Sequence, residues 1–126
     1  MRLSILLAIA GALALIFGFA FLIAPVETLA VYGASTGPVG YLMTRFFGTA
    51  LIQTGLVLLV LRPVQEPALV RAIAMAGALG DLVGLYVALH AVRNNLVSQL
   101  GWSTVAIYAL LAAGFGWVAY RPGSTA

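Results

Sequence analysis

One acid stands out by its surroundings. Asp81 lies within Gly77-Ala78-Leu79-Gly80-Asp81-Leu82-Val83-Gly84, an otherwise apolar run. Counted from Pro67, where the run opens, it is about 21 Å along a helix, deep in the hydrocarbon if that helix crosses a bilayer. An ionised carboxylate facing lipid there costs several kcal/mol, so Asp81 must face the protein interior, a partner or a water cavity, or else be protonated.

Arg45, in the preceding apolar run, is its expected partner. It sits about 6 Å inside the opposite border, against about 13 Å for Asp81, a gap that an extended arginine spans, and a planar guanidinium bonds a carboxylate bidentately. Glu27 is the competing partner. Thr49 and Gln53 flank the arginine and extend a polar track inward, with Gln53 the strongly polar side chain nearest the middle of that run. A structural clamp is the first expectation for this set, a ligand or ion site the second, acid–base chemistry the third. His90, nine residues after Asp81, falls on the opposite side of a helix, which excludes an Asp–His relay there.

The rest of the inventory removes whole classes of chemistry. There is no cysteine, one histidine and only three acids, so neither a metal site nor thiol or disulfide chemistry is expected. No phosphate-binding loop, zinc-protease or serine-hydrolase motif occurs, and no cofactor is expected. The net charge of +3 comes from six arginines spread along the chain, a pattern that signals membrane topology, not nucleic-acid binding.

The elements that must position these residues follow from composition. Of the 126 residues, 63% are hydrophobic and 7% charged, far below the roughly 25% charged residues that coat a water-soluble domain. Mean hydropathy is +1.13, and four continuous apolar runs fill nearly the whole length. The expected fold is all-α: a single integral membrane domain with an antiparallel, up-down bundle of four transmembrane helices over about 3–24, 41–61, 67–90 and 102–120. Pro25, Arg62-Pro63 and Arg121-Pro122-Gly123 end three of the spans, and Pro67 preceded by Glu66 opens another. The uninterrupted runs lack the period of two that a β-barrel requires. Residues 26–32 are expected to form two turns on the bilayer surface, and the first span is too long for a cleaved signal.

Arginine counting sets the orientation. Arg2, Arg62, Arg71 and Arg121 share one side and Arg45 and Arg93 the other, which predicts both termini in the cytoplasm. Trp102, Trp117, Tyr32, Tyr41 and Tyr120 fall near predicted borders as interfacial anchors. The tight Arg62–Pro67 connection makes the second and third spans neighbours, and their small-residue stripes are expected to pack together: Gly48 and Gly55 on one, Gly77, Gly80 and Gly84 on the other. An offset of 59 residues relates Arg62-Pro63 to Arg121-Pro122, Gly18 to Gly77 and Gly55 to Gly114, but with fourteen glycines such matches arise by chance.

Thr44-Arg45-Phe46-Phe47-Gly48 at the start of the second span, Leu61-Arg62-Pro63 at its end and Gly80-Asp81-Leu82 within the third resemble the small four-helix bacterial membrane proteins grouped as DoxX-like. The resemblance covers most of the chain and implies the fold and a bacterial inner membrane, not an activity. Small multidrug exporters are similar in length, but their first-helix carboxylate has no counterpart here. The first-helix signature of the dimeric fluoride channels is also absent. The leading functional expectation is a packing or interaction subunit of a membrane assembly, as a homo-oligomer or within a larger complex. The alternative is a binding or transport protein for a small hydrophobic or anionic molecule at an intramembrane Arg–Asp site. The expected partners are therefore the lipid bilayer, further copies of the chain or a larger membrane complex and, on the alternative reading, a small hydrophobic ligand, with no nucleic acid.

Overall fold

The computed structural model describes residues 2–121. They form five helices, α1 (Leu3–Ile23), α2 (Pro25–Val31), α3 (Pro38–Val60), α4 (Pro67–Arg93) and α5 (Gly101–Tyr120), joined by short connections, with no strand among the described residues. All but the seven-residue α2 are long and apolar enough to cross a membrane. The polar tail after Arg121 lies outside the described residues.

Prolines set most of the starts. Pro25, Pro38 and Pro67 each occupy a first turn, where a missing N–H costs nothing. Pro38 therefore lets α3 begin before Tyr41, where the sequence suggested a start. Glu66 caps α4, its carboxylate accepting from the backbone N–H groups of Ala68 (3.2 Å) and Leu69 (3.1 Å). Between α1 and α2 the chain bends at Pro25, and the carbonyl of Ala20 accepts from both the Ala24 N–H and the Thr28 hydroxyl.

Two helix ends share one device. After α2, Gly33 (φ 70°) directs its own N–H to the Ala30 carbonyl and that of Ala34 to Leu29. After α4, Asn95 (φ 56°) does the same toward Val92, with Leu96 bonding back to Ala91. These are paired six-to-one and five-to-two closures on a left-handed residue, which glycine enters freely and asparagine tolerates. The second carries α4 three residues past His90, where the sequence suggested its end.

The helices associate as two hairpins, α1 with α3 and α4 with α5. This corrects the expected packing of the second span on the third: α3 and α4 are consecutive but share no extended contact. The reason lies in which faces are smoothest. Gly11 and Gly18 on α1 meet Gly55 and Gly48 on α3, and a Cβ on any of the four would lie 2.6–3.1 Å from the opposing glycine's carbonyl oxygen. Backbones approach this closely only where side chains are absent, and close approach is what drives helix association in lipid. In the second hairpin aromatic rings fill the glycine positions: Phe115 lies on Gly77 and Tyr108 on Gly84. Both seams repeat every seven residues, the period that keeps two helices in contact along their length.

The hairpins meet at the end where α1 begins, α5 ends and α3 connects to α4, called here the terminal end. A buried cluster of Leu3, Leu6, Leu7 and Ala10 from α1, Val70 and Ala74 from α4, and Phe115 and Val118 from α5 joins them. The Arg62 Nε donates to the Ser4 carbonyl (3.1 Å) and ties the connection to α1. At the opposite, cap end the link is slighter: the Ser98 N–H donates to the Tyr32 carbonyl (2.7 Å).

Only 11% of the most apolar stretch of α3, and the same share of α4, is buried within the chain. The accessible surface of 7596 Å² exceeds the roughly 6,400 Å² typical of a compact water-soluble monomer of this mass. Surfaces so apolar and so open call for lipid as solvent, and the chain is a multi-pass membrane protein by this criterion.

Candidate functional site

The residues singled out by sequence fall into three separate places. Arg45, Thr49 and Gln53 follow one another at four-residue spacing along α3, and all three are exposed. The buried residues of that helix, Gly48 and Gly55, are turned to α1. The Thr49 hydroxyl is already committed, donating to the Arg45 carbonyl one turn earlier (3.1 Å). Gln53 has no such local outlet, and no hydrogen bond among the described residues engages its amide.

Asp81 is half-buried on α4, on the face it shares with Gly77 and Gly84 and therefore turned toward α5. Tyr108, whose ring covers Gly84, lies within electrostatic range of both Asp81 and Tyr32. No ion pair joins Asp81 to Arg45. Measured from the terminal end the two sit at nearly one depth, about 21 Å above Pro67 and about 22 Å above Val60, but their helices do not pack. The expected clamp is thus not assembled within one chain. A short connection fixes which helices follow one another but not which faces they bury, and α1 competes successfully for the smooth face of α3.

Of the five glycines expected to pack, Gly48 and Gly55 do so against α1, and Gly77 and Gly84 against α5. Gly80 meets nothing: a Cβ there would have no neighbour within 4 Å. His90 is exposed at the cap end, where the Asn94 amide donates to its carbonyl (2.8 Å) and lies 3.3 Å from Nδ1. No group of three or more metal-ligating side chains occurs among the described residues.

Glu27 belongs to a third place that the sequence did not reveal. A cleft of about 410 Å³ opens at the cap end, along the seam between α1 and α5 and beneath α2. Ile16, Phe17 and Ala20 form its α1 wall, Leu100 and Ser103 its opposite wall, and Glu27, Thr28, Val31 and Tyr32 its upper edge. It exists because the buried cluster that joins the hairpins is confined to the terminal end. The signal available in the sequence was the position of α1's large residues: its buried leucines, Leu3, Leu6 and Leu7, all precede Gly11.

Set against known families, curated proteins and solved structures, the chain matches none of them.

Proposed function

We propose that this protein is a packing or interaction subunit of a membrane assembly and that the flank of α3 carrying Arg45, Thr49 and Gln53 is the surface it offers. The observation behind this reading is an uncovered polar stripe at hydrocarbon depth. Gln53 lies about 6 Å from the midpoint of a 23-residue span, too deep for its short side chain to reach a headgroup. An amide left without a hydrogen-bond partner in an apolar medium costs several kcal/mol. Arg45 lies about 10 Å from the start of α3 and can extend toward the nearer headgroups, so it is compatible with either lipid or a partner beside it. A second protein helix bearing a donor or acceptor supplies what the chain itself does not.

The same reading carries the finer features of the sequence argument. The partner pairs of the two hairpins, Gly11 with Gly55 and Gly18 with Gly48, and Gly77 with Phe115 and Gly84 with Tyr108, support an antiparallel up-down order. The arginine imbalance supports cytoplasmic termini, and the DoxX-like resemblance supports a bacterial inner membrane. Transport at an Arg45–Asp81 site receives less support, because one chain does not bring the two together.

The test is assembly in the native membrane. Wild type is expected to migrate as a complex after mild solubilisation and Gln53→Leu as a smaller species. A spin label at position 49, one turn away on the same stripe, that reports fluid lipid while Gln53 is retained, together with unchanged migration of Gln53→Leu, would refute the reading.

A further inference from the structure

We infer that the cap-end cleft between α1, α2 and α5 is a binding site for a bilayer phospholipid with an ammonium headgroup, of the phosphatidylethanolamine class, held by the Glu27 carboxylate and the Tyr32 hydroxyl. Three observations converge on it, and none depends on the α3 surface.

The first is the ordering of polarity along the cleft. Its lining is almost wholly apolar, with Ile16 and Phe17 of α1 deepest, and Glu27 and Tyr32 stand at its upper edge where α2 lies. That gradient runs in the same direction as that of a phospholipid, head at the border and chain toward the bilayer centre. At about 410 Å³ the cleft is within the range of ligand sites, and its open side faces outward, where a lipid enters sideways without leaving the leaflet.

The second is which polar groups remain uncommitted. The Thr28 hydroxyl donates to the Ala20 carbonyl (2.9 Å) and the Ser103 hydroxyl to the Leu100 carbonyl (2.6 Å). Glu27 and Tyr32 have no hydrogen bond from their side chains and Glu27 no ion pair among the described residues. One is an acceptor carrying negative charge, the other a hydroxyl donor. A zwitterionic headgroup presents the complement to both: an ammonium with three donors for the carboxylate, and a phosphate oxygen for the phenol.

The third is charge selection. No arginine lines the cleft, and Glu27 is its one charged residue. An anionic headgroup therefore meets repulsion where an ammonium meets attraction. The edge is also built to hold its shape: Pro25 is buried at the start of α2, and the Ser98 N–H bond to the Tyr32 carbonyl fixes the residue after its end.

The experiment reconstitutes the full chain in vesicles of equal phosphatidylethanolamine and phosphatidylglycerol with matched acyl chains, then counts lipids retained after detergent extraction by native mass spectrometry. Wild type is expected to retain one phosphatidylethanolamine per chain, favoured about tenfold over phosphatidylglycerol, as one charge-assisted contact provides. Glu27→Gln should bring the ratio near one and Glu27→Lys should invert it. Ala20→Phe and, from the opposite wall, Ser103→Phe should each abolish retention of both lipids; the two variants occupy different helices, so a folding defect in one leaves the other to decide. Equal retention of the two lipids by wild type, a preference that survives Glu27→Gln, or retention that survives both blocking variants would overturn the assignment.

Discussion

Gly18 and Gly48 face each other across the α1–α3 seam so closely that a Cβ on the first would lie 2.9 Å from the carbonyl oxygen of the second, and a Cβ on the second 2.6 Å from that of the first. Neither contact can be relieved by a side-chain rotation, because both sides are backbone. Gly48→Ala is therefore expected to force the helices apart and to destabilise the fold by about 1–3 kcal/mol, as overpacking does. Gly80→Ala, on a face with no neighbour, is expected to stay within about 0.5 kcal/mol of wild type. Unfolding in mixed micelles with increasing denaturing detergent measures both.

Phe115 fills the corresponding place in the second hairpin and is 2% exposed. Phe115→Ala leaves a cavity against Gly77 and the α1 leucines. In a water-soluble core this change costs about 3–5 kcal/mol, of which part is transfer of the ring out of water. Lipid is as apolar as the core, so that part falls away and the lost packing remains. The expected cost lies below the soluble range but above that of Tyr108→Phe, which keeps the ring on Gly84. The same micelle titration ranks the two variants.

Arg45 and Asp81 are expected to be energetically independent within a monomer. A double-mutant cycle of Arg45→Leu and Asp81→Asn should give a coupling within about 0.5 kcal/mol in dilute micelles, where each chain is alone. A coupling of about 2 kcal/mol or more would show that the two groups meet, and that α3 closes onto α4 in solution.

Gly33 and Asn95 hold left-handed backbone at the ends of α2 and α4. Gly33→Ala is expected to lower stability by about 1 kcal/mol, and Asn95→Gly to leave it level or raise it slightly, because only the first change introduces a Cβ where the backbone disfavours one. Thermal unfolding followed by the fluorescence of Trp102 and Trp117 distinguishes the two directions.

Much of this arrangement was written in local chemistry. Pro67 marks a helix start because its missing N–H is harmless there, and an unbroken apolar run of twenty residues has few destinations besides a membrane; Pro25, expected only to end the first span, and Pro38, expected within a turn, each open a helix for the same reason. What was not local was pairing. α1, α3 and α4 each carry a glycine pair at seven-residue spacing, and the short Arg62–Glu66 connection constrains where α3 ends without deciding which of them it meets. The decisive detail was reciprocity: Gly11 and Gly18 meet Gly55 and Gly48 at the same seven-residue spacing, whereas Gly77 and Gly84 of α4, spaced alike, receive the rings of Phe115 and Tyr108 from α5. The site suffered accordingly. Glu27, Arg45 and Asp81 were all recognised as unusual, but the sequence could not say that three different surfaces would divide them.

The leucine cluster near the N-terminus also divides the work of filling space unequally between the two leaflets. On the side where α1, α4 and α5 share buried side chains the protein fills its own interior. On the other, where a cleft of about 410 Å³ lies between α1 and α5, acyl chains complete the packing, because an unfilled apolar void forfeits its contacts outright.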